Sequence, residues 1–373
     1  MVPHTGHQKA AEAVMEAIHH MDPHCQCTSI DAVSHAYPFI GNVFNRMYFQ
    51  ILKRMPYVWD YLYDNPDVEE VTREARELLT ILSSFRTKKI LKKFNPAAVI
   101  CTQAVPAIAL AAERRRGHLP IPLIGIITDF GVHAYWLHRE IDLYLVGHND
   151  VKQELMRRGI EERKIRVTGI PIDPKFGGLV NPAEEKKFLR LDPHKKTILL
   201  MGGSRGYGLL HETIEAIQSL PLRTQMIVVC GKNKRLFNQL SKLSSKKWDI
   251  QVFGYVREMN RLMSAADVLI TKPGGLTTSE ALASRVPLIA INPIPGQEER
   301  NVNFLLRHRA ARIARTTEDL KKNLLDLFRY PSKLEFMRQQ ASHIARPLSS
   351  WEAARLIFDQ IKNVDSSYEE SAS

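Results

Sequence analysis

Cysteine is scarce. The chain of 373 residues has four, Cys25, Cys27, Cys101 and Cys230. Cys25-Gln26-Cys27 is not a zinc spacing, and no second close cysteine pair completes one. No disulfide framework is expected, and a reducing compartment fits that count. Long hydrophobic runs are missing too. A membrane-spanning helix needs about 20 apolar residues, and the best candidate, residues 97–112, is broken by Thr102, Gln103 and Pro106. Residues 1–20 contain no apolar core of a secretory signal. These absences exclude an integral helical membrane protein but leave open a protein that works on a membrane surface. No internal repeat and no long low-complexity segment occurs.

What is present is an ordinary globular balance, with 44% hydrophobic and 25% charged residues. At roughly 100–200 residues per domain, the length predicts two domains or three. The net charge is +12, and it is uneven: residues 1–170 carry +2 and residues 171–373 carry +10. A basic excess speaks about partners and not about fold.

Short apolar runs alternate with helical stretches. Residues 97–101, 122–127, 143–146, 165–167, 197–201, 225–230, 250–253, 268–271 and 288–291 read as strands. Continuous apolar runs bounded by Gly or Pro suit strands buried on both faces of a parallel sheet. The class is therefore α/β. Pro171, Pro174 and Gly177-Gly178 mark a linker over 171–178. Ser349-Ser350-Trp351-Glu352 is a capping-box pattern that opens a helix over 349–363. A similar pattern, Thr5-Gly6-His7-Gln8, precedes an apolar stretch over 10–18. The polar tail, 364–373, is expected to fray.

Five loops follow strands in the second half. The first is Gly202-Gly203-Ser204-Arg205-Gly206-Tyr207-Gly208, whose glycines permit close approach of a phosphate. The second is Gly231-Lys232-Asn233, the third Gly254-Tyr255-Val256. The fourth, Lys272-Pro273-Gly274-Gly275-Leu276-Thr277-Thr278-Ser279-Glu280, runs from a strand into a helix start, where free N–H groups and the dipole favour an anion. The fifth runs from Asn292 to Asn301 through Gln297 and Glu298. Each also reads as a plain βα turn. Together they share one rim, because ligands of open α/β sheets sit at the carboxyl ends of the strands.

These residues in this order resemble the processive diacylglycerol glucosyltransferases and monogalactosyldiacylglycerol synthases, relatives of the muramyl-pentapeptide N-acetylglucosaminyltransferase in glycosyltransferase family 28. The resemblance runs from Gly6 to about Lys362. It rests on Lys-Pro-Gly-Gly-x-Thr-x-x-Glu at 272–280, Pro-Gly-Gln-Glu-x-x-Asn at 295–301 and Val-Cys-Gly-Lys-Asn at 229–233. It rests also on Thr128-Asp129-Phe130 with His133, Trp136, His138, Asp142 and Tyr144.

The resemblance implies a GT-B fold of two Rossmann-like domains facing a cleft. It implies an acceptor- and membrane-facing domain over 1–170, a donor domain over 179–348 and a C-terminal helix crossing back. It implies an inverting, metal-free transfer of glucose or galactose from a UDP-sugar to diacylglycerol, on the inner face of the cell membrane. The absence of any Asp-x-Asp motif agrees with metal-free departure of UDP. Gly254, Tyr255 and Val256 would hold the uracil, and Glu280 the ribose. Gly203, Ser204, Gly206, Gly274, Gly275, Thr277 and Thr278 would hold the diphosphate. Gln297 and Glu298 would touch the sugar, with Asn233 and Asn301 also on the donor side. Lys232 and Lys272 are candidate cations for the leaving group. His7 or Asp129 would be the general base, since inversion needs only one. Phe130, His133 and Trp136 would line the acceptor path or pack a short helix. The aromatic and basic stretch 43–63, with Tyr57 and Trp59, would meet an anionic membrane or form a core helix.

One departure stands out. Family members open with a buried strand before the Gly-His loop, whereas here only Met1-Val2-Pro3-His4-Thr5 precede Gly6-His7. The N-terminal sheet is thus expected to lack its first strand, through a misassigned start, a fragment or a degenerate relative. The rival readings are an impaired UDP-sugar sensor or membrane scaffold, and a sugar-nucleotide epimerase of the same fold. Nucleic-acid binding has only the net charge behind it and no recognition motif, so it is not expected.

Overall fold

Strand polarity is uniform: every strand pair among the described residues is parallel. The computed structural model describes residues 6–30, 89–178, 180–202, 210–243 and 249–372. Tyr57 and Trp59, with the whole 43–63 stretch, lie outside them, as do Gly203, Ser204 and Gly206. The chain divides into two units, Met1–Pro174 with Leu348–Ser373, and Lys175–Pro347.

The first unit contains α1 (Gly6–Met21), β1 (Val99–Cys101), α2 (Ala104–Arg115), β2 (Leu123–Ile126), β3 (Leu143–Val146), α3 (Asn149–Arg157) and β4 (Ile165–Val167). The strands lie in the order β1-β2-β3-β4. Their side chains alternate between faces, as the pleat requires. Leu123, Tyr144 and Val146 face Ala107 and Leu110 of α2 and Val151 and Leu155 of α3. Ile124, Ile126, Leu143 and Leu145 face the other way, against Val14, Ala17 and Ile18 of α1. Burial on both faces is why these strands are continuous apolar runs.

The second unit contains α4 (Pro182–Phe188), β5 (Lys196–Met201), α5 (Leu210–Gln218), β6 (Thr224–Val229), α6 (Lys234–Leu243) and β7 (Ile250–Phe253). It continues with α7 (Met259–Ala265), β8 (Val268–Thr271), α8 (Gly275–Ala283), β9 (Leu288–Ile291) and α9 (Gln297–Arg307). It ends with β10 (Ala311–Ala314), α10 (Thr317–Arg329) and α11 (Pro331–Ile344). The order is β10-β9-β8-β5-β6-β7. The first strand of this unit is central, and the chain winds outward in both directions, as in a doubly wound nucleotide-binding sheet.

Three elements differ from the sequence reading. β10 was not foreseen. Arg312 interrupts its short apolar run and pairs outward with Asp326 at 2.6 Å. A capping box was also unforeseen: Thr316 Oγ1 accepts from the Asp319 amide at 3.0 Å to open α10. The C-terminal helix, α12 (Ser349–Ala372), continues past 363, since no Gly or Pro interrupts its polar end. At its start Ser349 Oγ accepts from the Ile172 amide at 3.3 Å, tying the two ends of the first unit together. α12 buries Ala353, Ala354 and Ile357 in the layer that holds α1.

At the amino edge of the second sheet, Asp267 gathers three cations. Its carboxylate accepts from Lys186 Nζ at 2.9 Å and the Thr197 amide at 2.9 Å, with Lys196 and Arg338 each at 3.5 Å. Burial alone would raise its pKa, but the Thr197 amide and Lys186 outweigh that and hold it below the usual range. Removing one partner of a buried pair strands the other charge. Asp267→Asn should therefore cost about 3 kcal/mol in urea unfolding at neutral pH. The wild-type advantage is present above the unfolded carboxyl value of about 3.9 and fades as pH falls through the lower folded value. An advantage that persists unchanged at pH about 2 would contradict this account.

Candidate active site

In the first unit, the carboxyl ends of β1 and β2 meet the start of α1. His7 lies in the first turn of α1, and its Nδ1 is 2.6 Å from Thr128 Oγ1, just beyond β2. Burial lowers the His7 pKa, and the backbone of Thr102, just beyond β1, only partly opposes it. The ring is therefore neutral at neutral pH, the state a general base requires. Asp129 follows Thr128 and is half-buried on the same loop. Both candidate bases thus sit on the carboxyl rim of the first sheet.

The aromatic candidates after Asp129 are buried. Trp136 is a core residue packed with Tyr144 and Val132. A Cβ on Gly125 would lie 3.2 Å from the Trp136 ring, so the indole lies directly on β2. Phe130 is buried, and a Cβ on Gly147 would lie 3.2 Å from its ring. His133 is buried and caps the 3₁₀ turn Ala134–Trp136, its Nδ1 accepting from the Tyr135 amide at 3.0 Å. The Tyr144 hydroxyl secures that turn by donating to the Trp136 carbonyl at 2.6 Å and accepting from the His138 amide at 3.1 Å. Large rings after a parallel strand are more cheaply buried over the sheet than left in water. They form the floor beneath the rim.

In the second unit, uniform strand polarity puts the loops after β5, β6, β7, β8 and β9 on one edge. The winding direction reverses between β5 and β8, which opens a crevice there. Lys272-Pro273-Gly274 and the start of α8 flank it. Gly274 is the N-cap of α8 and supplies no side-chain hydrogen bond. A Cβ there would meet nothing within 4 Å. A helix start leaves its first-turn N–H groups without intrahelical partners, and with Lys272 two residues before Gly274 this is the pattern of an anion site. Thr271 Oγ1, Thr278 Oγ1 and Ser279 Oγ are buried beside it without hydrogen-bond partners among the described residues. Glu280 is half-buried on α8.

The loops after β6 and β7 lie side by side. Gly231 takes φ 58°, in the left-handed region that favours glycine. A Cβ on Gly254 would be 3.8 Å from the Gly231 carbonyl. Lys232 is exposed, with its ammonium 5.8 Å from the centre of the exposed Tyr255 ring. Val256 is half-buried.

Three candidates hold backbone in place. Asn233 Oδ1 accepts from the Leu236 amide at 3.0 Å and so caps α6. Asn301 is fully buried, and its amide donates to the Pro273 carbonyl at 3.0 Å. It fixes the turn before α8 from beneath. Glu298 Oε2 accepts from the Ile294 amide at 2.7 Å. Burial raises the Glu298 pKa against the pull of Ile294 and the Lys272 charge. Gln297, the first residue of α9, is half-buried at the rim, following Gly296 at φ 84°. Thr128 was part of a recognisable motif but was assigned no role. Its position one residue before Asp129, at a strand end, was the available signal.

Comparison with known proteins agrees in both units. The family model for monogalactosyldiacylglycerol (MGDG) synthase matches residues 7–172. The glycosyltransferase family 28 C-terminal domain matches residues 197–350. A processive diacylglycerol beta-glucosyltransferase of Bacillus cereus (strain B4264) is 32% identical over 85% of this chain and 81% of its own. One of Bacillus pumilus (strain SAFR-032) is 36% identical over 68% of this chain and 66% of its own. Among solved structures, Acinetobacter baumannii MurG matches at TM-score 0.60 and 20% identity, over 76% of this chain and 79% of that one. A UDP-GlcNAc 2-epimerase of Neisseria meningitidis matches at TM-score 0.56 and 15% identity, over 77% of this chain and 82% of that one. At those identities the structural matches establish the fold, two Rossmann-like α/β domains of GT-B type.

The lowered His7 pKa has a consequence for stability. Below about pH 6.5 the unfolded chain binds a proton that folded His7 resists. Stability present above that value is lost as pH falls. His7→Gln removes this loss. Urea unfolding from pH 8 to 5 should show the wild type falling relative to the variant only below about pH 6.5. Parallel curves throughout would show that His7 is not held neutral.

Proposed function

The chain belongs to the family of processive diacylglycerol glucosyltransferases and monogalactosyldiacylglycerol synthases, and on that premise we propose that it transfers glucose or galactose from a UDP-sugar to the hydroxyl of diacylglycerol, with inversion. The observation that carries the donor half of this reading is the uncapped start of α8 at the β5/β8 switch point, with Lys272 beside it.

The chemistry follows from where charge moves. The acceptor oxygen attacks the anomeric carbon while the bond from that carbon to the diphosphate oxygen breaks. The bonding electrons leave with UDP, and the acceptor proton passes to the base. Negative charge therefore grows on the diphosphate. Preorganised N–H donors at the start of α8 stabilise it where it develops, and Lys272 adds a cation. These groups perform the task that a metal ion performs in other transferases, so no cofactor is assigned. Gly254, Tyr255 and Val256 take the uracil, Glu280 the ribose diol, and Gln297 the sugar. We assign the base to His7, because its burial keeps the imidazole neutral. Asp129 is the other group on that rim. Asn233, Asn301 and Glu298 shape the donor loops through the bonds already described.

The acceptor is a bilayer lipid, so the enzyme works at a membrane. No helix among the described residues is long and apolar enough to cross one. The +10 charge on residues 171–373 suits a peripheral contact with an anionic cytoplasmic leaflet.

The decisive assay supplies UDP-glucose or UDP-galactose with and without diacylglycerol vesicles. Glycolipid should form only with the lipid. Release of UDP as the main product without lipid would instead indicate an epimerase or hydrolase. Glu280→Ala should raise KM for the donor by about tenfold, the loss of a ribose contact worth about 1.4 kcal/mol. His7→Ala should lower kcat by about a hundredfold or more with little change in donor KM. Unchanged turnover in His7→Ala moves the base to Asp129.

A further inference from the structure

A histidine serves as a base only in one tautomer. The nitrogen that faces the acceptor must carry the lone pair, and the other must carry the hydrogen. In enzymes that use imidazole this way, an acceptor atom behind the ring fixes that choice. No carboxylate bonded to His7 is seen in that position among the described residues. The contact at 2.6 Å is the hydroxyl of Thr128.

Three features make this hydroxyl a fixed group. Thr128 is 5% exposed, so its side chain has little water to turn towards. Its β-branched side chain is stiff about χ1. Its main chain is anchored by the neighbouring residue, since the Ile127 amide donates to the Leu145 carbonyl at 2.9 Å.

We propose that Thr128 is the positioning residue for His7: its hydroxyl oxygen accepts the Nδ1 hydrogen, which leaves the lone pair on Nε2 for the acceptor hydroxyl. This rests on His7 being the base. If the threonine hydroxyl instead donates into Nδ1, Nε2 carries the hydrogen and the ring is no base. The polarity of one hydrogen bond therefore decides whether the site is competent. Asp129, the nearest titratable neighbour along this loop, remains unaltered in every variant below.

The test uses Thr128→Val, Thr128→Ser and His7→Gln in the full chain. Valine keeps the shape and removes the hydroxyl; serine keeps the hydroxyl. Thr128→Val should lower kcat by about 10–100-fold, with donor KM within about twofold. Thr128→Ser should recover most of the loss. In the His7→Gln background, Thr128→Val should cost nothing further, because the two residues act as one unit. Nitrogen-15 NMR of the histidine-labelled protein gives a readout independent of activity. His7 should be the Nδ1–H tautomer in the wild type and in Thr128→Ser, and should lose that preference in Thr128→Val. An Nε2–H tautomer in the wild type, or a normal kcat in Thr128→Val while His7→Gln is inactive, overturns the proposal alone. A normal kcat in His7→Gln overturns the base assignment, and this proposal with it.

Discussion

Parallel pairing is the constraint on which both sites depend. A parallel sheet sends every strand in one direction, so all the carboxyl ends share an edge. In the second unit this gathers loops separated by up to about a hundred residues into one rim. The reversal of winding between β5 and β8 opens a crevice beside the start of α8. An anion can therefore approach the start of α8. At the opposite edge, free of catalytic demands, the Asp267 cluster joins Lys186, Lys196 and Arg338. The two edges divide labour: one presents unsatisfied donors, the other satisfies its charges internally.

An edge of open N–H groups is useful only if it is rigid. Donors that must reorganise during reaction lose much of their advantage over water. The rigidity comes from polar residues that point away from the ligand. Asn301 holds the Pro273 carbonyl from below, and Glu298 holds the Ile294 amide. Asn233 fixes the start of α6 after the β6 loop. Each bond is worth only about 1 kcal/mol in stability. Their larger effect is on geometry, because a displaced turn misaligns several donors at once.

The strands were legible because burial on both faces leaves an unmistakable apolar run, as in Thr197–Met201 and Leu288–Ile291. β10 escaped because a four-residue edge strand with Arg312 outward has no such run. The glycine-rich loops were legible because glycine has few other reasons to end a strand. The direction of a side chain was not. Asn301 and Asn233 belong to the right motifs but bond to the backbone, and the sequence pattern is the same either way. Phe130, His133 and Trp136 could be read as lining or as packing, and the structure shows all three buried. An aromatic near a site satisfies the same pattern in both roles, and only the position of Gly125 and Gly147 beneath the rings separates them.

The position of His7 depends on residues at the other end of the chain. α1 begins one residue before His7 and lies against α12. Val14, Ala17 and Ile18 are buried with Ala353, Ala354 and Ile357 over β2 and β3. The small alanines allow the two helices to approach closely. The His20 and Trp351 rings add a contact, with centroids 5.7 Å apart. An isolated helix of this length is marginal in water, so α1 draws its order from this layer and not from its own propensity. The C-terminal helix thereby supports the rim of the first sheet from behind. It fixes the axis of α1, α1 carries the imidazole to the end of β2, and the Thr128 hydroxyl meets the ring that arrives there.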